Sequence, residues 1–374
     1  MSNLKLGVIG VGHLGRHHAR ILATTPGVTL VGVADTRLEQ AIAIAEPLAT
    51  RAFADHRELL PLVDAVSIAV PTRFHHAIAT EALSRRIPTL VEKPLASNLG
   101  EAESLVALAR QEQTLLHVGH IERYNPVLGI LRDARITPRY VAAERLGTYT
   151  FRSTDIGVVH DLMIHDIDIL LSLVESPVST ISAIGVNIFG GLEDVASARI
   201  GFENGSVADL SASRASLHAT RKVRVWGPEG YAGLDFKTGQ GLVVRPSELL
   251  RQRKLSLDGV DLTQPDALKN HVFNRLLLPE HHERKDREPL ALELEDFLNA
   301  IRTGAPPRVT GHDALRAMRL ADLVLKAIQA HDWTDARTPD LAHTEHAIPG
   351  PHVLRLDSLR KTLERGGKRG GSVS

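Results

Sequence analysis

Lys5–Asp35 reads KLGVIGVGHLGRHHARILATTPGVTLVGVAD. Lys5–Ile9 is a short apolar run suited to a buried parallel strand. It enters Gly10-Val11-Gly12-His13-Leu14-Gly15, a G-x-G-x-x-G, and a helical pattern follows from Arg16 to Leu22. Val28–Ala34 is a second strand-like run ending at Asp35, 20 residues past Gly15. Strand, glycine loop, helix, strand and terminal acid together form the dinucleotide fingerprint. The first glycine permits the tight turn, the second lets backbone approach the pyrophosphate, and the third lets helix and strand pack closely. The helix start then offers amide donors and positive dipole to phosphate. Candidate cofactor contacts are Gly10, Gly12, His13, Leu14 and Gly15, with Asp35 on the adenosine ribose. The Asp35 charge repels a 2′-phosphate and favours NAD, whereas Arg37 is the residue that could pair with NADP.

Outward from this stretch, strands and helices keep alternating. Ala65–Val70 is a strand that stops at Pro71-Thr72, with His75 at the next helix start. Thr89–Val91 runs into Glu92-Lys93-Pro94, which sets a lysine at a strand's C-terminal end. Ligands of open α/β sheets bind outside those ends. Leu115–Gly119 is a further strand. The alternation predicts an α/β fold with a doubly wound parallel sheet over residues 1–122. Pro71, Thr72, His75, Glu92 and Lys93 join the cofactor candidates; a capping or solvated role serves His75 equally well.

The periodicity changes after residue 122. Tyr140–Thr150, Val178–Ile188, Val195–Phe202, Ser206–Arg214 and Arg221–Trp226 read as strands, with the hairpin signal Asn204-Gly205 between two of them. Residues 123–335 are therefore expected to form an α+β domain with an open, mainly antiparallel sheet. One face of such a sheet packs on helices, and the other must meet water or another copy, which predicts a homodimer or homotetramer. Residues 246–290 are polar and read as a solvated excursion, helices follow at Ala291–Arg302 and His312–His331, and the tail over 336–374 reads as partly disordered.

The helix predicted over Val158–Val174 carries Asp161, His165, Asp168 and Ser172 on one stripe of an otherwise apolar segment. A carboxylate one turn from an imidazole can fix its tautomer and raise its basicity. A buried polar network that fixes packing is the other reading, and this helix alone leaves both open. His160 and His165 miss the helical zinc spacing, and no acidic frame accompanies the other histidine pairs, so no metal is expected.

Composition sets the outer bounds. A chain of 374 residues implies two domains. Basic and acidic residues number 44 each, which gives no reason to expect nucleic acid or an acidic membrane as partner. The absence of cysteine removes disulfides and thiolate chemistry. No stretch approaches the roughly 20 apolar residues of a membrane span, and the start lacks a signal peptide, so a cytoplasmic protein is expected.

With the glycine loop, Glu92-Lys93-Pro94 and Asp161-x-x-x-His165, the chain resembles the glucose–fructose oxidoreductase/inositol dehydrogenase/rhizopine-catabolism oxidoreductase family over residues 4–330. Pro71-Thr72 with His75, and Gly119-His120 leading to Arg123-Tyr124-Asn125-Pro126, belong to the same pattern. The resemblance implies a Rossmann domain, NAD(P), and oxidation of a secondary alcohol on a sugar or cyclitol. Lys93, Asp161 and His165 fall on the catalytic positions, and Arg123, Tyr124 and Asn125 join them as substrate contacts. His165 would act as general base, Asp161 would orient it, Lys93 would stabilise alkoxide charge, and Glu92 would position Lys93 or the cofactor. One departure is Gly157-Val158-Val159-His160, where many members have glycines. The chain also looks like the branch that makes 3-keto UDP-N-acetylglucosamine. Arg123, Arg152, Arg214 and Arg221 are candidate partners for its diphosphate. The alternatives are a dehydrogenase of a free sugar or inositol, a reductase of an imine or enone, and a non-catalytic dinucleotide-binding regulator.

Overall fold

The computed structural model describes residues 3–149, 156–189, 191–254, 260–261, 263–285 and 287–331, with the backbone of Leu354–Arg355. Two compact units form, one from Met1–Tyr124 with Arg287–Arg319, the other from Asn125–Asp286 with Leu320–Ser374. The first contains β1 (Leu4–Ile9), β2 (Val28–Ala34), β3 (Arg51–Phe53), β4 (Ala65–Ile68), β5 (Thr89–Glu92) and β6 (Leu116–Gly119). Between them run α1 (Gly15–Thr24), α2 (Leu38–Ala45), α3 (His56–Leu59), α4 (His75–Ser84) and α5 (Leu99–Gln111). The sheet order is β3-β2-β1-β4-β5-β6, with every pair parallel. Every residue of β4, β5 and β6 is buried, as strands covered on both faces require. The order reverses between β1 and β4, so the glycine loop after β1 lies at the switch point.

In the second unit α6 (Leu128–Ala134) precedes β7 (Tyr140–Leu146). After β7 come a π-helical turn (Val159–Met163) and α7 (Ile164–Leu173). The sheet continues through β8 (Val178–Val186), β9 (Val195–Phe202), β10 (Val207–Ser213), β11 (Thr220–Gly227), β12 (Gly230–Asp235) and β13 (Gln240–Pro246). The short helices α8 (Glu248–Arg251) and α9 (Pro265–His271) lead to β14 (Leu277–Glu283), and β15 (Leu354–Arg355) pairs with β8. The order is β14-β13-β12-β11-β7-β10-β9-β8-β15, antiparallel except for β7 and β10. Gly205 turns the β9–β10 hairpin at φ +81°, a conformation that suits glycine. One face of β7, β9 and β10 is lined by Val141, Ala143, Ala196, Ala198, Ile200, Ala208, Leu210 and Ala212, all buried, and α7 packs on β7 and β10. On the other face Tyr140 stacks on Trp226 and Tyr231 tilts against it, with ring centroids 5.0 Å apart in each pair.

Three expectations are corrected. Residues 287–319 join the first unit, not the second. The reason is α10 (Pro289–Thr303), whose Leu290, Leu294, Phe297 and Leu298 share a core with Leu6, Val8, Leu22 and Leu30. The unit boundary then falls inside α11 (Gly311–Gln329). The polar stretch 246–290 contains β14, an edge strand that tolerates Pro279 because its outer side needs no ladder partner. The predicted catalytic helix opens with the π turn in place of regular α geometry. The tail over 336–374, apart from the β15 backbone, lies outside the described residues. Among the described residues no helix is long and apolar enough to cross a membrane.

Candidate active site

The glycine loop meets the steric demands of a dinucleotide. Gly10 sits at φ +82°, and a Cβ there would lie 2.7 Å from the Val70 side chain. A Cβ on Gly15 would lie 1.8 Å from the Gly10 carbonyl oxygen, so helix α1 can start against the loop only with glycine. A Cβ on Gly12 would meet nothing within 4 Å, which leaves its backbone open to an approaching phosphate. His13 and Leu14 are exposed at the start of α1. Asp35 accepts hydrogen bonds from the backbone N–H of Val11 (3.1 Å) and of Arg37 (3.0 Å). An ionised carboxylate has about four acceptor positions, so both oxygens keep capacity for ribose hydroxyls. The Arg37 side chain is 73% exposed, with its Nε 4.0 Å from Asp35. These residues fit NAD by loop sterics and by the acid at the end of β2.

Glu92 and Lys93 stand at the end of β5. Glu92 is buried and accepts a hydrogen bond from His18 Nε2 at 3.0 Å, while His18 Nδ1 contacts Ser67 Oγ at 2.8 Å. Its other oxygen accepts from the Lys93 backbone N–H at 3.3 Å. Burial opposes ionisation of Glu92, but the His18 hydrogen bond and the charges of His18 and Lys93 outweigh it and hold the carboxyl below its ordinary range. Glu92 thus ties α1 to the Lys93 turn through His18. His18 and Ser67 have no motif value on their own; the available signal is that His18 lies three residues past Gly15, on the sheet-facing side of α1.

His75 is buried, with Nδ1 2.9 Å from the Pro94 carbonyl and Nε2 2.9 Å from the Val70 carbonyl. The ring lies between the loops after β4 and β5, and as a neutral imidazole with one N–H it donates to one of the two carbonyls. Burial lowers its pKa, against the partial opposition of those carbonyls. Pro71 is exposed and Thr72 half-buried in a single helical turn. Tyr124 is buried as well, and its hydroxyl donates to Asp296 at 2.7 Å. Having given its one proton to a carboxylate, that hydroxyl must accept the 3.0 Å bond from His117, so Nε2 of a neutral His117 carries hydrogen. Arg123 donates to the Arg308 carbonyl at 3.2 Å. In the second unit Asn125 donates to the Phe236 carbonyl (3.3 Å) and accepts from Val127 N–H (3.2 Å). The side-chain polar atoms of Tyr124 and Asn125 are thus engaged within the fold rather than offered outward.

Two buried histidines beside this network make a pH prediction. Burial pushes His117 down to about 4, against the attraction of Asp296. Burial together with the Lys93 and Arg123 charges pushes His120 down to about 3. An unfolded chain binds these protons near the ordinary 6.5, whereas the folded one refuses them. Their contribution to stability is therefore present above that pH and is lost as pH falls toward 4, at roughly 1.4 kcal/mol per pH unit for each group. Hydrogen exchange of residues 114–124, corrected for intrinsic rates, should show protection falling over this range. His117→Asn should flatten the fall, and an unchanged slope in that variant would contradict the assignment.

Asp161 lies in the π turn and His165 in the first turn of α7; both are half-buried on one continuous helical segment. The π turn displaces Asp161 from the ideal stripe, and such turns recur at functional sites. Asp168 is buried, and Asp166 is buried against Arg145 on β7, with bonds of 3.0 and 2.8 Å. Glu193 accepts from Val159 N–H at 3.1 Å at the head of this segment. Arg214 is buried, donating to Asp194 at 2.6 Å and to the Ile156 carbonyl at 3.0 Å, which commits it to the fold and removes it as a diphosphate partner. Arg221 is exposed, and Arg152 lies outside the described residues. Among the described residues no group of three His, Asp or Glu side chains is arranged to hold a metal ion.

Comparison with known proteins supports the same reading. Residues 4–120 match the model of an oxidoreductase family with an NAD-binding Rossmann fold, and residues 127–232 match the GFO/IDH/MocA C-terminal domain. The chain is 35% identical to the UDP-N-acetylglucosamine 3-dehydrogenase of Acidithiobacillus ferrooxidans, covering 88% of this chain and 99% of that protein. A solved structure of that enzyme superposes with a TM-score of 0.77 at the same coverage. The scyllo-inositol 2-dehydrogenase (NAD(+)) of Bacillus subtilis is 27% identical, over 83% of this chain and 90% of its own. The chain belongs to the GFO/IDH/MocA family of NAD-binding oxidoreductases and is a dehydrogenase of its sugar and inositol class.

Proposed function

We propose that the substrate is a nucleotide-activated amino sugar, UDP-N-acetylglucosamine, oxidised at the 3-hydroxyl to the keto sugar. The observation that carries this reading is the 35% identity, over nearly the full length, to an enzyme named for that reaction. Bound NAD supplies the hydride acceptor. His165 takes the hydroxyl proton, the general-base role an imidazole commonly fills. Asp161 orients that ring, and Lys93 stabilises the developing alkoxide. Glu92, held by His18, positions Lys93. The test is to incubate enzyme and NAD with UDP-N-acetylglucosamine, free glucose derivatives and myo-inositol, with an aminotransferase present to trap keto product, and follow reduced cofactor. Turnover confined to the nucleotide sugar is expected. Turnover of inositol or free sugars alone would sink the substrate and leave the dehydrogenase standing.

The sheet face that carries Tyr140, Trp226 and Tyr231 supports a second proposal, that another copy of the chain covers it. Light scattering on the purified protein should give a dimer or tetramer, and Trp226→Glu should weaken it. A wild-type monomer at micromolar concentration would refute this.

A further inference from the structure

We infer that Glu193 is a positioning residue that sets the head of the helical segment carrying Asp161 and His165. The inference rests on the roles assigned to those two residues. Helix starts leave amides without partners inside the helix. Here one residue from the turn before β9 meets two of them. The Val158 N–H donates to the Glu193 carbonyl at 2.9 Å, and the Val159 N–H donates to Glu193 Oε1 at 3.1 Å. The Glu193 side chain reaches this place only because Gly157 has no Cβ: a methyl there would lie 2.0–2.3 Å from the carboxyl atoms. The neighbouring acid grips the residue just before. Asp194 is fully buried, accepts from the N–H groups of Ile188 and Phe189 at 2.7 Å each, and pairs with Arg214 at 2.6 Å. Arg214 in turn donates to the Ile156 carbonyl at 3.0 Å. Ile156 to Val159 are thus fixed from one turn, and the π turn with Asp161 begins from that anchor.

The anchor is held at a cost. Burial raises the Glu193 pKa, and the amide bonds only partly offset that. A negative or strongly accepting group is nonetheless favoured at the positive end of a helix. Losing it frees the first turn, where Asp161 sits, while leaving the nucleotide unit untouched. A displacement near 1 Å at a catalytic group costs on the order of 10²-fold in rate.

The test uses the full chain with NAD and UDP-N-acetylglucosamine, and hydrogen exchange of residues 156–165 in the protein alone. Glu193→Ala should lower kcat on the order of 10²-fold, leave NAD affinity unchanged, and speed exchange over that segment. Glu193→Gln keeps an acceptor in place and should retain most of the activity and protection. Gly157→Ala should reproduce the Glu193→Ala loss by displacing the carboxyl, and combining the two should add little, because both remove one contact. Wild-type kcat and exchange in Glu193→Ala or Gly157→Ala, or additive losses in the double variant, would overturn the inference. If Glu193→Ala does not fold, Glu193→Gln and Gly157→Ala decide it. His165→Asn measured alongside separates the two levels: full activity there refutes the site itself, whereas a loss there with none at Glu193 refutes only the positioning role. If the wild type does not turn over this sugar, the exchange results decide.

Discussion

His165→Asn is expected to keep the fold and bind NAD, yet lose roughly 10²–10⁴-fold in kcat, the range for removing a general base. Asparagine is close in size to imidazole but cannot accept the substrate proton at neutral pH. The residue lies in the first turn of α7, half-buried, so its replacement empties little of the core. Lys93→Met should cost on the order of 10²–10³-fold through loss of alkoxide stabilisation. Methionine keeps the length of the stem and removes the charge. The check is steady-state kinetics beside nucleotide titration by fluorescence. Wild-type turnover in both variants would show that the roles are wrongly assigned.

Breaking the Arg145–Asp166 pair should produce the largest stability change. Both side chains are under 5% exposed, and two parallel hydrogen bonds join them. The intact pair adds little net stability, because the cost of taking both ions out of water consumes the Coulomb gain. Removing one partner is different, since it takes the two-bond counter-ion from a charge that stays buried, and about 3–5 kcal/mol should be lost in Asp166→Leu or Arg145→Met. The double variant Arg145→Met/Asp166→Leu should recover most of that. Asp166 is next to His165, so either single variant should also lower turnover. Urea unfolding followed by fluorescence in a Trp333→Phe background, where Trp226 alone reports on the second unit, measures the four corners of the cycle. Single variants losing under about 1 kcal/mol, or a double variant losing the sum, would contradict the claim.

The first sheet was legible because its information is local. Apolar runs of strand length end in glycine, an acid or, after β4, Pro71, and they alternate with helix patterns, so β1, β2, β4, β5 and β6 could be read within a residue or two. β14 was hidden because an edge strand need not be apolar, and Leu277–Glu283 is mostly polar and exposed. The placement of α10 was hidden for another reason. Its apolar stripe is plain in sequence, but the stripe does not say which core it meets. The same limit applied to the site. Lys93, Asp161 and His165 stand out as types at a spacing, whereas nothing in the sequence shows that the polar groups of Tyr124 and Arg214 turn to Asp296 and Asp194. Supporting residues such as His18, Ser67 and Glu193 act across 34 or more positions of sequence, where no periodicity reaches.

The proposed hydride transfer from a sugar-nucleotide carbinol carbon can be followed by isotope. The direct test is a single turnover of excess enzyme and NAD with UDP-N-acetylglucosamine carrying deuterium at C3, with the reduced cofactor analysed by mass spectrometry. Reduced cofactor bearing the deuterium, with the reaction lost in His165→Asn, is the predicted result. Reduced cofactor without deuterium, or deuterium transfer from labelled inositol but never from the nucleotide sugar, would contradict the proposed transfer.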